Sequence, residues 1–381
     1  MECEMIIKIA DNIVSPLGFT TVANYEAVKA GQSRLRYYEC VNDIPEPFTA
    51  SLFDWEEVES EWTVQAELYT RFEKIVIMSV ENALQQTDID ISSSRVLIII
   101  STIKGNVELI DSRSETFSAD RAMLGVTAKI ISDYFENPNP PIVVSNACIS
   151  GLCAQIAAMR ALQSGKYDYV VVAGADVQSR FIISGFQSFK ALSPEECKPF
   201  DIDRCGLNLG EAAATIIYGR SELMGNQWIA ASGAIRNDAY HISGVSRTAE
   251  GSYRALRSVL GGVDVDDLAL VNVHGTSTLY NDEMESKALA RAGLKDVPVN
   301  TLKGFYGHTM GAAGILEVIL SMASIDDKMI LATRGYSECG VSQPLNISNE
   351  NRDTDKRSFV KLLSGFGGCN AAMLFKKGGM Q

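Results

Sequence analysis

The chain has 381 residues, 46% hydrophobic and 21% charged, with a formal net charge of −13, a globular balance with length for two core-forming halves at about 150 residues per domain. The acidic balance speaks against nucleic acid as the main partner, because phosphate binding draws on clustered Lys and Arg. The longest apolar runs, such as Val96 to Ile100 and Val170 to Ala175, fall far short of the ~20 residues a membrane span needs.

The eight cysteines are scattered without a Cys-x-x-Cys pair, which reads as reduced thiols rather than a disulfide framework. The start, Met1-Glu2-Cys3-Glu4, is acidic and lacks the marks of a secretory signal, so a cytoplasmic protein is expected.

In chain order, Ile6 to Ile13 reads as a strand, followed by the turn Ser15-Pro16-Leu17-Gly18 and a helical stretch ending near Gly31. Residues 40 to 60 read as an acidic loop containing Pro45 and Pro47. Apolar residues at helical spacing predict a helix from about Val64 to Gln86, before the strand Val96 to Ile100. After Asn137-Pro138-Asn139-Pro140-Pro141, a strand runs into Cys148, then a helix through Leu162, a turn at Gly165 and a buried strand from Tyr169 to Ala173. A related order recurs: His308, Gly311-Ala312-Ala313-Gly314, a helix through about Ser324 and a strand from Met329 to Thr333. The recurrence suggests an internal duplication whose halves, 1–222 and 223–381, meet near Leu223.

Cys148 stands where strand becomes helix, in Ser145-Asn146-Ala147-Cys148-Ile149-Ser150-Gly151. A helix N-terminus favours the thiolate, so a lowered thiol pKa is expected there. The three histidines fall in polar or glycine-flanked turns: His241 in Asp-Ala-Tyr-His, His274 in Val-His-Gly-Thr-Ser-Thr and His308 in Gly-His-Thr-Met-Gly. One cysteine with two such histidines is equipment for thioester chemistry, the sulfur holding an acyl group while imidazoles manage charge on a second substrate. Packing is the bland alternative for a lone cysteine. Metal binding ranks lower, since His-Glu-x-x-His and close His pairs are absent, and a Cys-His protease would leave the second histidine motif unexplained.

Taken in order, the motifs resemble the β-ketoacyl-acyl-carrier-protein synthases of the thiolase superfamily, in the elongating Cys-His-His class. The resemblance rests on Ser15-Pro16-Leu17-Gly18, Ala30-Gly31-Gln32-Ser33, Asn146-Ala147-Cys148 and Pro199-Phe200-Asp201 with Arg204, Gly206, Gly210 and Glu211. It continues through His274-Gly275-Thr276-Ser277-Thr278, Lys303, Gly307-His308, Gly311-Ala312-Ala313-Gly314 and Gly365-Phe366-Gly367-Gly368-Cys369-Asn370.

It implies an α/β thiolase-like fold, five layers αβαβα from two duplicated halves. It further implies an acyltransferase, cytoplasmic and dimeric, whose partners are an acyl carrier protein and a second ketosynthase-like subunit of the same or another chain. No metal and no cofactor is implied beyond the carrier's phosphopantetheine. By the same resemblance Cys148 is the nucleophile, and His274 and His308 stabilise the enolate formed on decarboxylation of a malonyl-carrier. The N–H groups of Cys148 and Phe366 form the oxyanion hole, Thr276 and Thr278 bind the pantetheine arm, Phe366 gates the acyl tunnel and His241 lines the entrance. Lys303 with Glu317 orients the histidine loop, Glu285 supports it, and Lys190 and Arg204 dock the carrier. Fatty acid, polyketide and polyene synthesis are all compatible pathways. A chain-length-factor-like partner subunit and a thiolase-type acyltransferase are the alternatives.

The chain departs from the family pattern at Asn146, Ile149, the segment Ser101-Thr102-Ile103-Lys104-Gly105 and Cys369, which reads as a small packed residue. Where relatives carry a basic docking helix, this chain has Glu56, Glu57, Glu59 and Glu61.

Overall fold

The computed structural model describes residues 4–39, 44, 46–62, 66–111, 116–221 and 225–379. Pro45, Val64 and the expected boundary at Leu223 lie outside the described residues.

Ten strands build the frame: β1 Met5–Val14, β2 Val96–Ser101, β3 Ile142–Val144, β4 Tyr169–Asp176, β5 Ala212–Ser221, β6 Trp228–Asn237, β7 Leu268–Asn272, β8 Pro298–Asn300, β9 Ser358–Gly365 and β10 Cys369–Lys377. The first five lie in the order β3-β2-β4-β5-β1 and the second five in the order β8-β7-β9-β10-β6, with Asn346–Ile347 added beyond β8. Strand directions match as well: β2 is parallel to β3 and β4, β7 is parallel to β8 and β9, and the remaining pairs in each set are antiparallel. The second set thus repeats the topology of the first, and the two join where Ile7 of β1 pairs with Ile229 of β6.

The main helices repeat in step. Each half has one after its first strand (α1 Arg71–Leu84; α5 Glu250–Val259) and one between its second and third (α2 Leu124–Tyr134; α6 Leu279–Arg291). A third follows the third strand (α3 Ser150–Gln163; α7 Ala313–Asp326), and an additional helix, α4 Arg180–Ser188, follows β4. Alternation along β2 separates the layers, with Leu97 and Ile99 packing in the core that holds α3 and α7, and Val96, Ile98 and Ile100 in the core that holds α1 and α2. A third core joins the other sheet to α5 and α6. The layers run α, β, α, β, α, which accounts for the continuous apolar runs of β2 and β4: both faces of those strands are covered.

Three elements differ from expectation. The first is the stretch 40 to 60, read as an acidic loop, which holds the strand Phe48–Ser51 and the helix Trp55–Glu61, capped by the Asp54 side chain accepting from Glu56 N–H. The helix predicted from Val64 begins at Arg71, because Thr70 caps it, accepting from Glu73 N–H while the Glu73 carboxylate accepts from Thr70 N–H. The strand expected at Met329 to Thr333 is only Met329–Ile330, paired with Arg352–Asp353 outside the main sheets. The strand that returns from α7 is β9, reached after a further 30 or so residues of chain.

The sandwiched helices α3 and α7 touch at glycines. A Cβ on Gly151 would lie 3.0 Å from Gly314 Cα, and one on Gly314 would lie 2.7 Å from Leu152 N and 2.9 Å from Gly151 C. Gln155 Nε2 ties the crossing by donating to Gly151 O (3.0 Å) and Gly314 O (2.9 Å). Gly314→Ala should therefore cost about 1–3 kcal/mol of unfolding free energy despite alanine's helical advantage of about 1 kcal/mol. Gly261→Ala, where a Cβ meets nothing within 4 Å, should stay within about 0.5 kcal/mol. Urea melts of the two variants check this, and an unchanged midpoint for Gly314→Ala would show that the crossing can relax.

Candidate active site

The chain enters α3 through a strained elbow. Ala147 has φ +45°, unusual for a residue with a Cβ, and Ser150 Oγ pins the turn by accepting from Asn146 N–H (2.7 Å) and donating to Ala147 O (2.6 Å). Cys148 thereby reaches the cavity one residue before the helix cap at Ile149, yet it is buried. His308 occupies the equivalent place before α7, its backbone held in a short ladder: His308 N–H donates to Asn208 O (2.7 Å) and Gly210 N–H to His308 O (3.1 Å).

His274 follows β7. Its N–H and that of Gly275 each donate to a different oxygen of Glu285, both at 2.7 Å, while Thr276 N–H donates to Asp282 Oδ1 at 3.0 Å. Two buried carboxylates on α6 thus shape this turn. Burial raises both, Glu285 to about 7 and Asp282 to about 6, against the pull of their N–H donors.

These placements converge. One donor atom from each of Cys148, His274 and His308 lies within 4.8 Å of the others, and the imidazole centroids are 5.0 Å apart with planes at 83°. Three such atoms are the least a zinc site needs, but the Lys303 and Lys361 ammonium groups act on both rings and would oppose a bound cation. Burial first, then those lysines, pushes both histidines well below the usual imidazole range, so at neutral pH the rings are uncharged. His308 Nδ1 accepts from Met310 N–H (3.3 Å), which puts its proton on Nε2. His308 Nε2 and His274 Nδ1 are buried without a hydrogen-bond partner among the described residues.

The lowered thiol pKa expected of the helix start is overturned. Burial pushes the Cys148 thiol up to about 11, outweighing Lys303 and the N–H groups of Phe366 and Cys148 that favour the thiolate. Both N–H groups nevertheless face the sulfur, the arrangement an oxyanion hole requires.

Two cavities meet at Cys148. One, about 750 Å³, runs among Ile103, Phe181, Ile182, Phe186 and Met310. The other, about 380 Å³, passes Thr276, Thr278, Lys190 and the two histidines. Phe366 lines both, its ring 5.9 Å from Phe186 and 5.3 Å from Phe189. Gly367 (φ +83°) and Gly368 (φ +72°) give its loop backbone angles that other residues resist. Thr276 and Thr278 hydroxyls lie 2.9 Å apart on the smaller cavity's wall.

Lys303 Nζ donates to Glu317 Oε1 (2.7 Å) with both side chains buried. His241 is exposed and caps its own turn, Nδ1 accepting from Ser243 (3.2 Å) and Gly244 (3.0 Å) N–H; those two neighbours line the smaller cavity. Lys190 is exposed at that cavity's wall. Arg204, expected at a docking surface, is instead buried, donating to Asp201 O (2.8 Å) and Gly340 O (2.5 Å). Its guanidinium holds two loops together. Cys369 Sγ lies 3.1 Å from Asn146 Oδ1, beside the elbow.

Sequence reasoning missed three buried charges. Asp176 receives Gly311 N–H (2.7 Å), Ile103 N–H (3.0 Å) and Thr102 Oγ1 (2.8 Å). Asp282 sits one turn before Glu285 on α6, a spacing that could have flagged it. Lys361 interrupts the apolar run Phe359-Val360-Lys361-Leu362-Leu363, and that interruption was its signal.

Residues 27–222 match the model of the beta-ketoacyl synthase N-terminal domain, and residues 228–337 that of the C-terminal domain. The chain is 27% identical to 3-oxoacyl-[acyl-carrier-protein] synthase 2 of Vibrio cholerae over 417 aligned positions, covering 99% of this chain and 100% of that one. Among solved structures it is similar to a beta-ketoacyl synthase from Burkholderia phymatum (TM-score 0.89, 24% identity, 98% of this chain and 100% of that one). It is also similar to a ketosynthase in complex with its chain length factor from Xenorhabdus doucetiae (TM-score 0.87, 22% identity, 98% of each chain).

With the thiol raised to about 11, alkylation of Cys148 by iodoacetamide should keep accelerating through pH 9, as the thiolate fraction grows about tenfold per pH unit. Peptide-level mass spectrometry reads the rate, and a plateau below pH 8 would show that the helix start outweighs burial.

Proposed function

The chain belongs to the β-ketoacyl synthase family, and we propose that within it Cys148 carries the growing acyl group while His274 and His308 serve decarboxylation of the extender. It is an acyltransferase that joins an acyl thioester to a malonyl-carrier by decarboxylative Claisen condensation. The observation that carries the residue assignment is the convergence of the cysteine and two uncharged imidazoles at the meeting point of two cavities.

In the first half-reaction the Cys148 sulfur attacks the carrier's thioester carbonyl, and the tetrahedral oxygen is held by the N–H groups of Cys148 and Phe366. The phosphopantetheine sulfur leaves and takes up the proton that the Cys148 thiol gives up. The acyl chain then lies in the larger cavity, with Phe366 as the gate. In the second half-reaction the malonyl-carrier enters by the smaller cavity, its arm along Thr276 and Thr278. The malonyl C–C bond breaks, carbon dioxide leaves, and the electron pair moves into an enolate whose oxygen accepts from the imidazoles. The enolate carbon attacks acyl-Cys148, and the sulfur departs and regains a proton from solvent.

An acyl carrier protein and a ketosynthase-like subunit are the partners this reading implies, with the carrier docking at the Lys190 face of the smaller cavity. In a pair with an unlike subunit this chain would be the catalytic member, since it keeps Cys148. Fatty acid synthesis and a specialised polyketide or polyene route both fit the chemistry.

Intact-mass measurement after incubation with acyl-carriers of several chain lengths should show an acyl adduct on the wild type and none on Cys148→Ala. No wild-type adduct with any donor, alone or with a partner subunit, would sink the assignment. His308→Ala should slow malonyl-carrier decarboxylation by roughly 10²- to 10³-fold, as for loss of one oxyanion donor, measured by carbon dioxide release. Lys190→Glu should raise KM for the carrier with kcat little changed, whereas Arg204→Ala should lower the melting temperature instead.

A further inference from the structure

Along β9, Phe359 and Leu363 pack with the central helices while Val360 and Leu362 pack in the outer core. Alternation places Lys361 on the central face, where its side chain is 0% exposed. An ammonium group there is costly unless fully engaged. Lys361 Nζ donates to Asn272 Oδ1 (2.5 Å), to Val273 O (3.2 Å) and to Glu317 Oε2. Asn272 and Val273 are the two residues before His274, and the other oxygen of Glu317 holds Lys303. One carboxylate thus serves two ammonium groups, and Glu285 is a further acidic neighbour of Lys361.

We propose that Lys361 is a positioning residue for the decarboxylation half-reaction, anchoring the end of β7 that carries His274 and adding, with Lys303, positive charge to the burial that holds both rings as neutral donors. This rests on the condensation proposed above. The charged and titratable groups around the rings are Lys303, Glu317 on α7, Glu285 and Asp282 on α6, Lys361 on β9, and the Cys148 thiol, with Asp176 of β4 holding the Gly311 N–H beyond His308. Burial pulls the Lys361 ammonium down to about 8 against the attraction of Glu317, which leaves it charged at neutral pH. Losing that charge raises the imidazole pKa values, so at higher pH His308 gains a proton on Nδ1 that opposes the Met310 N–H orienting the ring.

The test is the pH profile of malonyl-carrier decarboxylation in Lys361→Met. The acid limb should move up by about one unit, a tenfold loss near its foot, with KM little changed and Cys148 still acylated. A uniform loss at all pH values, or an unmoved limb, overturns the proposal. Should Lys361→Met not fold, Lys361→Gln keeps an amide donor for Asn272 and Val273 without charge, and the same shift is expected. Failure of both to fold overturns the proposal in favour of a purely structural lysine. If the wild type released no carbon dioxide, the functional reading would fall instead. Imidazole NMR titration of wild type against Lys361→Gln would then still test Lys361, with unequal ring pKa values expected and equal ones overturning it.

Discussion

The contact on which the site depends is the glycine crossing of α3 and α7. The two helices start at equivalent points of a duplicated topology, so bringing their N-terminal ends together brings Cys148 and His308 together. Backbone against backbone at Gly151 and Gly314 leaves no room for a Cβ, and Gln155, itself held by Tyr218 (2.7 Å), satisfies the carbonyls at the crossing. A side chain at either glycine would part the helix ends by about the thickness of a methyl group, and thioester chemistry tolerates little misplacement. Asp176 adds a second restraint, tying the Gly311 turn before α7 to the Thr102–Lys104 segment after β2.

Around that crossing the protein spends buried charge on geometry. Glu285 and Asp282 hold the His274 turn through its N–H groups, and Glu317 joins Lys303 to Lys361 between α7 and β9. Removing one member of such a set leaves the others unpaired in a low dielectric, so each is expected to be far less tolerant of substitution than an exposed pair such as Lys129 with Asp133. The burial that makes this framework rigid also raises the Cys148 thiol. The nucleophile is therefore held mostly as thiol, and acylation draws on close placement and on the N–H pair beside the sulfur rather than on a large standing population of thiolate.

Much of the framework was legible locally. The apolar runs at Val96 to Ile100 and Tyr169 to Ala173 are strands because both their faces are covered, and the turn at Cys148 and the glycine run after His308 announced helix starts. Local reasoning failed at Met329, where a short apolar stretch resembles a buried strand but is used outside the main sheets, and the resemblance misled at Arg204, which it placed at the docking surface while its guanidinium is spent on backbone carbonyls. Neither error could be corrected by periodicity, since both depend on what lies opposite in space.

The amino-acid sequence by itself determined which groups could do chemistry: a cysteine at a strand–helix junction, histidines in glycine-bounded turns, a lysine and a phenylalanine loop, in an order that resembles one family. Only the tertiary structure decided how those groups behave. Protonation follows from burial and from charges supplied by distant strands, so the raised thiol, the neutral imidazoles and the joining of Lys361 to Lys303 through Glu317 arise from contacts between residues far apart in the chain. Spacing along the chain carries no information about dielectric or about a partner 44 residues away.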